Sequence, residues 1–241
     1  MGDHPFTTIT CICCGHVITV PVYCKNRFCP VCAGPRHRRL RKQLQWYCSN
    51  VRLLPGQRLK HVVLTIKSGP DLDECVNKLV HSFRKLRQRK WWKKHVSGGA
   101  YVIEITKSES GWHPHIHAVI QSWYMPYDAL KANWLKVSGA WGISISERPA
   151  YVLANYLTDY ITKLPKDIQD SKPLNDALRN RRLFSVFGLW HSMKCPKFKV
   201  TFPCPKCLSS AWIPTEILDR QFSRDGPSMK FDDLPRKRAL P

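Results

Sequence analysis

The alternation of apolar and polar side chains predicts a sheet in the middle of the chain. Three runs have strand character: His61–Ile66, Ala100–Thr106 and Gly111–Ile120. The second and third runs are joined by a short polar loop, which favours an antiparallel hairpin. At strand period the third run places Ile116 and Ala118 on one face of the sheet, and His113, His115 and His117 on the other.

Apolar positions at helical spacing predict three helices. The first covers about 34–49, where Leu40, Leu44 and Tyr47 share one face. The second runs from about Asp71 to His95, and the third from Pro149 to Lys163, ending before Pro165. The second helix carries an apolar stripe made of Leu72, Val76, Leu79, Val80, Phe83 and Leu86.

The histidine strand has the pattern of a metal site. In the predicted hairpin Glu104 lies across from His115 and His117, and a buried carboxylate is costly unless it is paired or bound to a metal. Two imidazoles and a carboxylate on one face suit a divalent ion that keeps positions open for substrate. His113 is interpreted as a neighbour that shapes the site without binding the ion.

The charge of the chain indicates a polyanionic partner. Lys and Arg number 39 against 17 Asp and Glu, which gives a net charge of +22, and 43% of the 241 residues are apolar. A folded protein with clustered cations and aromatic side chains is typical of nucleic-acid binding. Each basic helix face is expected either to contact phosphates or simply to be solvated, and the tryptophans among the cations are expected either to stack on bases or to join the core. The candidate DNA-binding residues are Arg38, Arg39, Arg41, Lys42, Arg87, Lys90, Trp91, Trp92, Lys93 and Lys94.

Cysteine spacing predicts structural zinc. The Cys-x-x-Cys pairs Cys11/Cys14 and Cys29/Cys32 enclose Cys24, and two quartets remain open: both pairs together, or Cys14 with Cys24, Cys29 and Cys32. A third Cys-x-x-Cys pair, Cys204/Cys207, is expected either to belong to a second zinc site or to serve packing. The other expected ligands of this second site are His191 and Cys195.

Several motifs together resemble a known family. The pattern His115-Ile-His117 is similar to the signature of the HUH endonucleases, and Tyr160-Ile-Thr-Lys163 resembles their tyrosine motif. From Cys24 to Leu189 the order of motifs resembles rolling-circle plasmid replication initiators (Rep proteins). The cysteine segment resembles the zinc domain of rolling-circle insertion-sequence transposases equally well, so a transposase remains the second interpretation.

The resemblance implies a fold and a reaction. The fold would be α+β, with a central antiparallel sheet of HUH type flanked by helices and zinc-knuckle appendages. Tyr160 would attack a phosphodiester of single-stranded DNA and form a 5′-phosphotyrosine, Tyr156 would act as a second nucleophile, and Lys163 would assist. A catalytic Mn²⁺ or Mg²⁺ would bind Glu104, His115 and His117.

The expected partners and location follow from the same pattern. The DNA is expected to be a single strand or hairpin at an origin, and a separate helicase is expected because the chain contains no Walker-type loop. No membrane span and no targeting segment are expected, so the predicted location is the cytoplasm. The predicted segments are 1–50 (zinc and basic helix), 51–190 (endonuclease), 191–223 (second zinc) and 224–241 (flexible tail). A non-catalytic zinc-dependent DNA-binding protein is the remaining alternative.

Overall fold

A computed structural model describes residues 5–22, 24, 29–161, 170–182, 184–198 and 203–217. Within these ranges the side chains of residues 30, 151 and 158–161 are not described. The chain divides into two compact units. The terminal unit combines Met1–Cys32 with Lys199–Pro241, and the central unit is Ala33–Phe198. The finer division at residues 50, 190 and 223 stays a prediction, and the tail 224–241 lies outside the described residues.

The central unit contains a five-stranded antiparallel sheet in the order β6-β3-β5-β4-β7. Its strands are β3 (Arg58–Thr65), β4 (Val96–Ser108), β5 (Gly111–Ser122), β6 (Ile143–Glu147) and β7 (Phe184–Gly188). The predicted hairpin is confirmed: β4 and β5 pair with Glu104 directly opposite His115. An α+β fold with a central antiparallel sheet is therefore confirmed.

Helices cover both faces of this sheet. They are α1 (Pro30–Asn50), α2 (Leu72–Gln88), α3 (Lys90–His95), α4 (Tyr127–Ser138), α5 (Ala150–Ile161) and α6 (Ser171–Ala177), and a 3-10 helix spans Leu189–Ser192. One face packs on α2 and α4, where Leu79, Phe83 and Trp134 meet Ile116 and Ala118. The opposite face packs on α1, α5 and the 3-10 helix through Leu44, Leu153, Leu157, Val119 and Trp190.

The predicted helix from Asp71 to His95 is two helices, which corrects that expectation. Asp71 caps α2 by accepting a 2.7 Å hydrogen bond from the Glu74 N–H. At Arg89 the backbone is extended (φ −65°, ψ 140°), and the Arg89 side chain donates to Asn133 Oδ1 over 2.6 Å. Arg89 thus separates α2 from α3, and Trp92 of α3 is buried in the core.

The terminal unit contains a three-stranded antiparallel sheet in the order β2-β1-β8, made of β1 (Phe6–Cys11), β2 (Val17–Pro21) and β8 (Trp212–Pro214). β1 therefore pairs with a neighbour in sequence and with a strand about 200 residues later. Cys11 is the last residue of β1, and Cys14 lies in the turn that follows it. Among the described helices of the whole chain, none is long and apolar enough to cross a membrane.

Candidate functional site

A buried carboxylate and imidazole lie in contact on the face of the central sheet that packs on α5. His117 Nε2 is 2.9 Å from Glu104 Oε2, and the two residues are 5% and 7% exposed. Register explains the contact, because Glu104 pairs with His115, and His117 is the next residue of β5 on the same face. A carboxylate enclosed in this way needs an imidazole or an ion beside it.

His115 lies on the same face and is held by two hydroxyl groups. Its Nδ1 is 3.1 Å from Thr65 Oγ1 on β3, and its Nε2 is 3.3 Å from Thr106 Oγ1 on β4. The ring centroids of His115 and His117 are 6.1 Å apart, and that of His113 is 4.4 Å from His115. The sequence-predicted donors Glu104, His115 and His117 therefore line one patch of sheet.

His61 is a member of this patch that sequence reasoning missed. Its ring stacks on His117 with centroids 5.5 Å apart, and His61 Nε2 is 3.4 Å from His117 Nδ1. Burial, together with nearby His117 and Arg148, lowers the pKa of His61 to about 4, so the ring is neutral at pH 7. The sequence shows His61 only as a single histidine in an apolar strand, and such a histidine is more typical of a core residue than of a functional site.

The tyrosine helix reaches the patch through Tyr156. The Tyr156 ring meets the His61 ring edge-on, with centroids 4.9 Å apart, and the Arg148 guanidinium lies 5.5 Å from the Tyr156 centroid. Tyr160 is within α5, but its side chain and all of Lys163 lie outside the described residues.

The donor set on this patch suits a divalent ion. Two imidazoles and one carboxylate form a mixed nitrogen and oxygen set of the kind that can bind a divalent metal ion with open coordination positions. His117 and Glu104 already bring one nitrogen and one oxygen donor together. Among the described residues, however, ligand atoms that all lie within 4.8 Å of one another occur in two cysteine groups and not in the set of Glu104, His115 and His117.

The cysteine groups differ from the quartets expected from spacing. One group contains Cys11, Cys14, Cys204 and Cys207, and the other contains Cys24, Cys29 and Cys32. The structure thus brings Cys204 and Cys207 to the Cys11/Cys14 pair. Within the described ranges, neither His191 nor Cys195 belongs to either group. Both groups have ligand atoms close enough together to hold a metal ion.

Local hydrogen bonds favour a thiolate at Cys204. Burial raises the pKa of its thiol, but the N–H groups of Lys206 and Cys207 and the neighbouring thiols of Cys14 and Cys207 lower it to about 7. Sulfur atoms that accept backbone N–H bonds in a turn are suited to metal binding.

The candidate DNA-binding residues separate into exposed and packed positions. Arg38, Arg39, Arg41 and Lys42 on α1 are exposed, as are Lys90, Lys93 and Lys94 on α3. Trp91 is half-buried, with its ring 4.7 Å from that of His95.

Two of the candidate DNA-binding residues have a packing role instead. Trp92 is 2% exposed in the core, so its indole is not accessible to a base, and the half-buried Arg87 guanidinium lies 4.9 Å from the Phe83 ring and 5.2 Å from the Phe187 ring.

Sequence comparisons identify relatives among replication proteins. The model of a family described as Replication protein matches residues 16–136. A curated "Protein rep" of Streptococcus pneumoniae is 25% identical over 162 residues, covering 65% of this chain and 48% of that protein. A "Protein rep" of Staphylococcus aureus is 34% identical over 104 residues, covering 40% of this chain and 44% of that protein. A "Protein rep" of a Bacillus species is 31% identical over 102 residues, covering 41% of this chain and 33% of that protein. No solved structure matches the chain significantly.

These matches define the class and the family. The antiparallel sheet with its histidine and carboxylate patch defines an α+β protein whose sequence resembles Rep proteins, and that resemblance is confirmed. The chain belongs to this replication protein family, since the family model covers half of its length. Each match spans less than half the length of the curated relative.

Proposed function

We propose that this chain initiates rolling-circle replication by nicking and rejoining single-stranded DNA at an origin, through a covalent bond to a tyrosine of α5. The observation that carries the proposal is the buried contact between Glu104 and His117 on the sheet face beside α5. Membership of a replication protein family supplies the biological process. The HUH-type arrangement implied by the sequence motifs supplies the chemistry.

Glu104, His115 and His117 are the proposed ligands of a divalent ion. Mn²⁺ or Mg²⁺ bound there would stabilise the negative charge that develops on the phosphate oxygens. The chain itself supplies a rigid strand pair, because both histidines and the carboxylate extend from the β4/β5 hairpin. His61 is the proposed positioning residue for the His117 ring, since one of its nitrogens faces His117 Nδ1.

The proposed reaction is a transesterification. The phenolic oxygen of Tyr160 forms a bond to the scissile phosphorus, the bond from phosphorus to the 3′ oxygen breaks, and that oxygen leaves as a 3′-hydroxyl after taking a proton. The phenol loses its proton on attack, and the positive charge of Lys163 favours the phenolate. Because a phosphodiester is replaced by a phosphotyrosine ester of similar energy, the reverse step rejoins the strand without ATP.

Tyr156 is the proposed second nucleophile. It lies one helical turn before Tyr160 on the same face of α5, and its ring contacts His61. Two tyrosines on one face permit a first transfer at initiation and a second transfer at termination.

The exposed basic face of α1 is the proposed DNA contact near this site. Arg41 Nε donates to Asn155 Oδ1 over 2.7 Å, and Gln45 Nε2 is 3.3 Å from the same oxygen. Asn155 precedes Tyr156, so the cations of α1 lie beside the tyrosine helix. These cations would bind phosphates of the same DNA strand, next to the phosphodiester that is cut. A helicase from another protein is proposed for unwinding.

The test is formation of a covalent adduct. The full chain is incubated with Mn²⁺ and single-stranded oligonucleotides from the origin of its own replicon, and protein–DNA adducts are separated on a denaturing gel. We expect an adduct in wild type, its loss with EDTA and in His117→Ala, and its retention in His81→Ala, which removes an exposed histidine of α2. DNA binding without any adduct would favour a non-catalytic DNA-binding protein and contradict the proposal.

A further inference from the structure

The cysteines of the two chain ends lie together in the terminal unit. Cys11 Sγ is 3.5 Å from Cys207 Sγ, and Cys14 Sγ is 3.6 Å from Cys204 Sγ. A disulfide would need about 2.05 Å. Four thiolates around zinc at about 2.3 Å would lie roughly 3.8 Å apart, because a tetrahedral edge is about 1.6 times the centre-to-corner distance. The sulfur spacing therefore suits one tetrahedral ion.

The two Cys-x-x-Cys turns have the same backbone geometry. In the first, Cys11 N donates to His16 O and Gly15 N donates to Cys11 O, both over 2.9 Å. In the second, Cys204 N donates to Ser209 O and Leu208 N donates to Cys204 O, both over 2.8 Å. This repeated turn presents two sulfurs from each end of the chain.

A strand ladder fixes the two turns to one another. β1 pairs with β8 so that Cys11 lies opposite Trp212, and Ile12 N donates to Ala211 O over 3.1 Å. The hydroxyls of Thr10 and Thr215 are 3.0 Å apart. The four sulfurs are thus held at one end of a small sheet whose strands come from opposite ends of the chain.

This sheet has almost no hydrophobic core. In the described part of the terminal unit the buried apolar residues are all cysteines, namely Cys11, Cys29, Cys32 and Cys204. Apolar side chains such as Phe6, Val17 and Val22 are exposed. Segments that cannot bury apolar surface depend on another constraint, and a structural metal is a common one.

We propose that Cys11, Cys14, Cys204 and Cys207 form one closed zinc site that joins the N-terminal hairpin to the C-terminal segment. Cys24, Cys29 and Cys32 belong to a separate site. This arrangement replaces both quartets expected for the first zinc site, Cys11/Cys14 with Cys29/Cys32 and Cys14 with Cys24, Cys29 and Cys32. It also replaces the expected second site of Cys204/Cys207 with His191 and Cys195. It does not depend on the proposed nicking activity.

Zinc content of paired variants of the full chain tests the proposal. We expect the double variant C11S/C14S and the double variant C204S/C207S each to lose one equivalent of zinc, and the quadruple variant to lose the same single equivalent. Loss of two equivalents in the quadruple variant, or of none in either pair, would overturn the shared site. Cys13→Ser and Cys195→Ser are the matched controls, because neither thiol lies in a described cysteine group, and both should keep all zinc.

A measurement on wild type removes the dependence on variant folding. The zinc-loaded chain is treated with increasing chelator and a thiol-alkylating reagent, and modified cysteines are located by mass spectrometry. Cys11, Cys14, Cys204 and Cys207 are expected to become reactive together, at one chelator concentration. Release of the N-terminal pair at a different concentration from the C-terminal pair would contradict a single site, as would full reactivity before chelator is added.

Discussion

At the residue scale, His61 is the proposed positioning residue for the His117 ring. Its Nε2 faces His117 Nδ1 at 3.4 Å, so it favours one orientation and one tautomer of the His117 ring. The sequence places His61 within a strand but does not reveal this contact, because the pairing of β3 with β5 brings together residues that are 56 positions apart.

His61→Phe is expected to weaken binding of Mn²⁺ about 10- to 100-fold, because a ring of similar size remains but its nitrogens are lost. Calorimetric titration of the metal measures the affinity, and excess Mn²⁺ should restore adduct formation in part. The exposed His81→Phe is the control and should bind Mn²⁺ like wild type. Unchanged affinity in His61→Phe would show that His61 has no positioning role.

Leu208 has a backbone conformation suited to glycine. Its φ is 60°, equivalent to Gly15 at φ 70° in the other cysteine turn, and its side chain is 76% exposed. A non-glycine residue in this region costs roughly 1–2 kcal/mol, whereas glycine adds roughly 0.5–1 kcal/mol of chain entropy to the unfolded state.

Leu208→Gly should therefore hold zinc more tightly, by up to about 1 kcal/mol, while Gly15→Ala should hold it less tightly. Competition with a metal chelator measures both changes. Changes of equal size and sign in the two variants would show that the left-handed backbone at these positions does not affect the affinity for zinc.

At the element scale, the strands of the central sheet are more predictable than the helix ends. Alternation assigns His115 and His117 to one face of β5, and hairpin geometry places Glu104 against them, which the structure confirms. The break at Arg89 is not visible in the apolar stripe. It depends on a hydrogen bond to Asn133 in α4 and on the burial of Trp92, and both are long-range contacts.

Gly99 lets β4 approach β5 and β7 closely. A Cβ atom at Gly99 would lie 2.2 Å from Val119 O and 3.0 Å from the Phe187 ring. Gly99→Ala should lower the free energy of unfolding by about 3 kcal/mol, because backbone must move. Gly139→Ala, where φ is 70° but no atom lies within 4 Å, should cost only about 1 kcal/mol. Urea denaturation compares them, and equal losses would argue against the close approach.

At the scale of the whole molecule, the two units depend on different forces. The central unit has apolar clusters on both faces of its sheet, whereas the described terminal unit buries only cysteines among its apolar residues. The sequence predicts that metal is needed but not which cysteines share an ion, since local spacing carries no information on pairing across about 190 residues.

Removal of zinc with a chelator should therefore unfold the terminal unit and leave the central sheet folded. Hydrogen exchange measured by mass spectrometry should show lost protection in β1, β2 and β8, and retained protection in β3, β4 and β5. Re-addition of zinc should reverse the change. Equal loss in both sets of strands would show that the central unit also depends on zinc.

The central claim is that a tyrosine of α5 becomes linked to DNA, and the most direct measurement locates that bond. Wild-type protein is trapped with an origin oligonucleotide and Mn²⁺, digested, and the nucleotide-bearing peptide is sequenced by mass spectrometry. We expect a 5′-phosphate on Tyr160 in wild type, and on Tyr156 in Tyr160→Phe. A nucleotide attached outside Ala150–Ile161, or no covalent product under any metal condition, would contradict it.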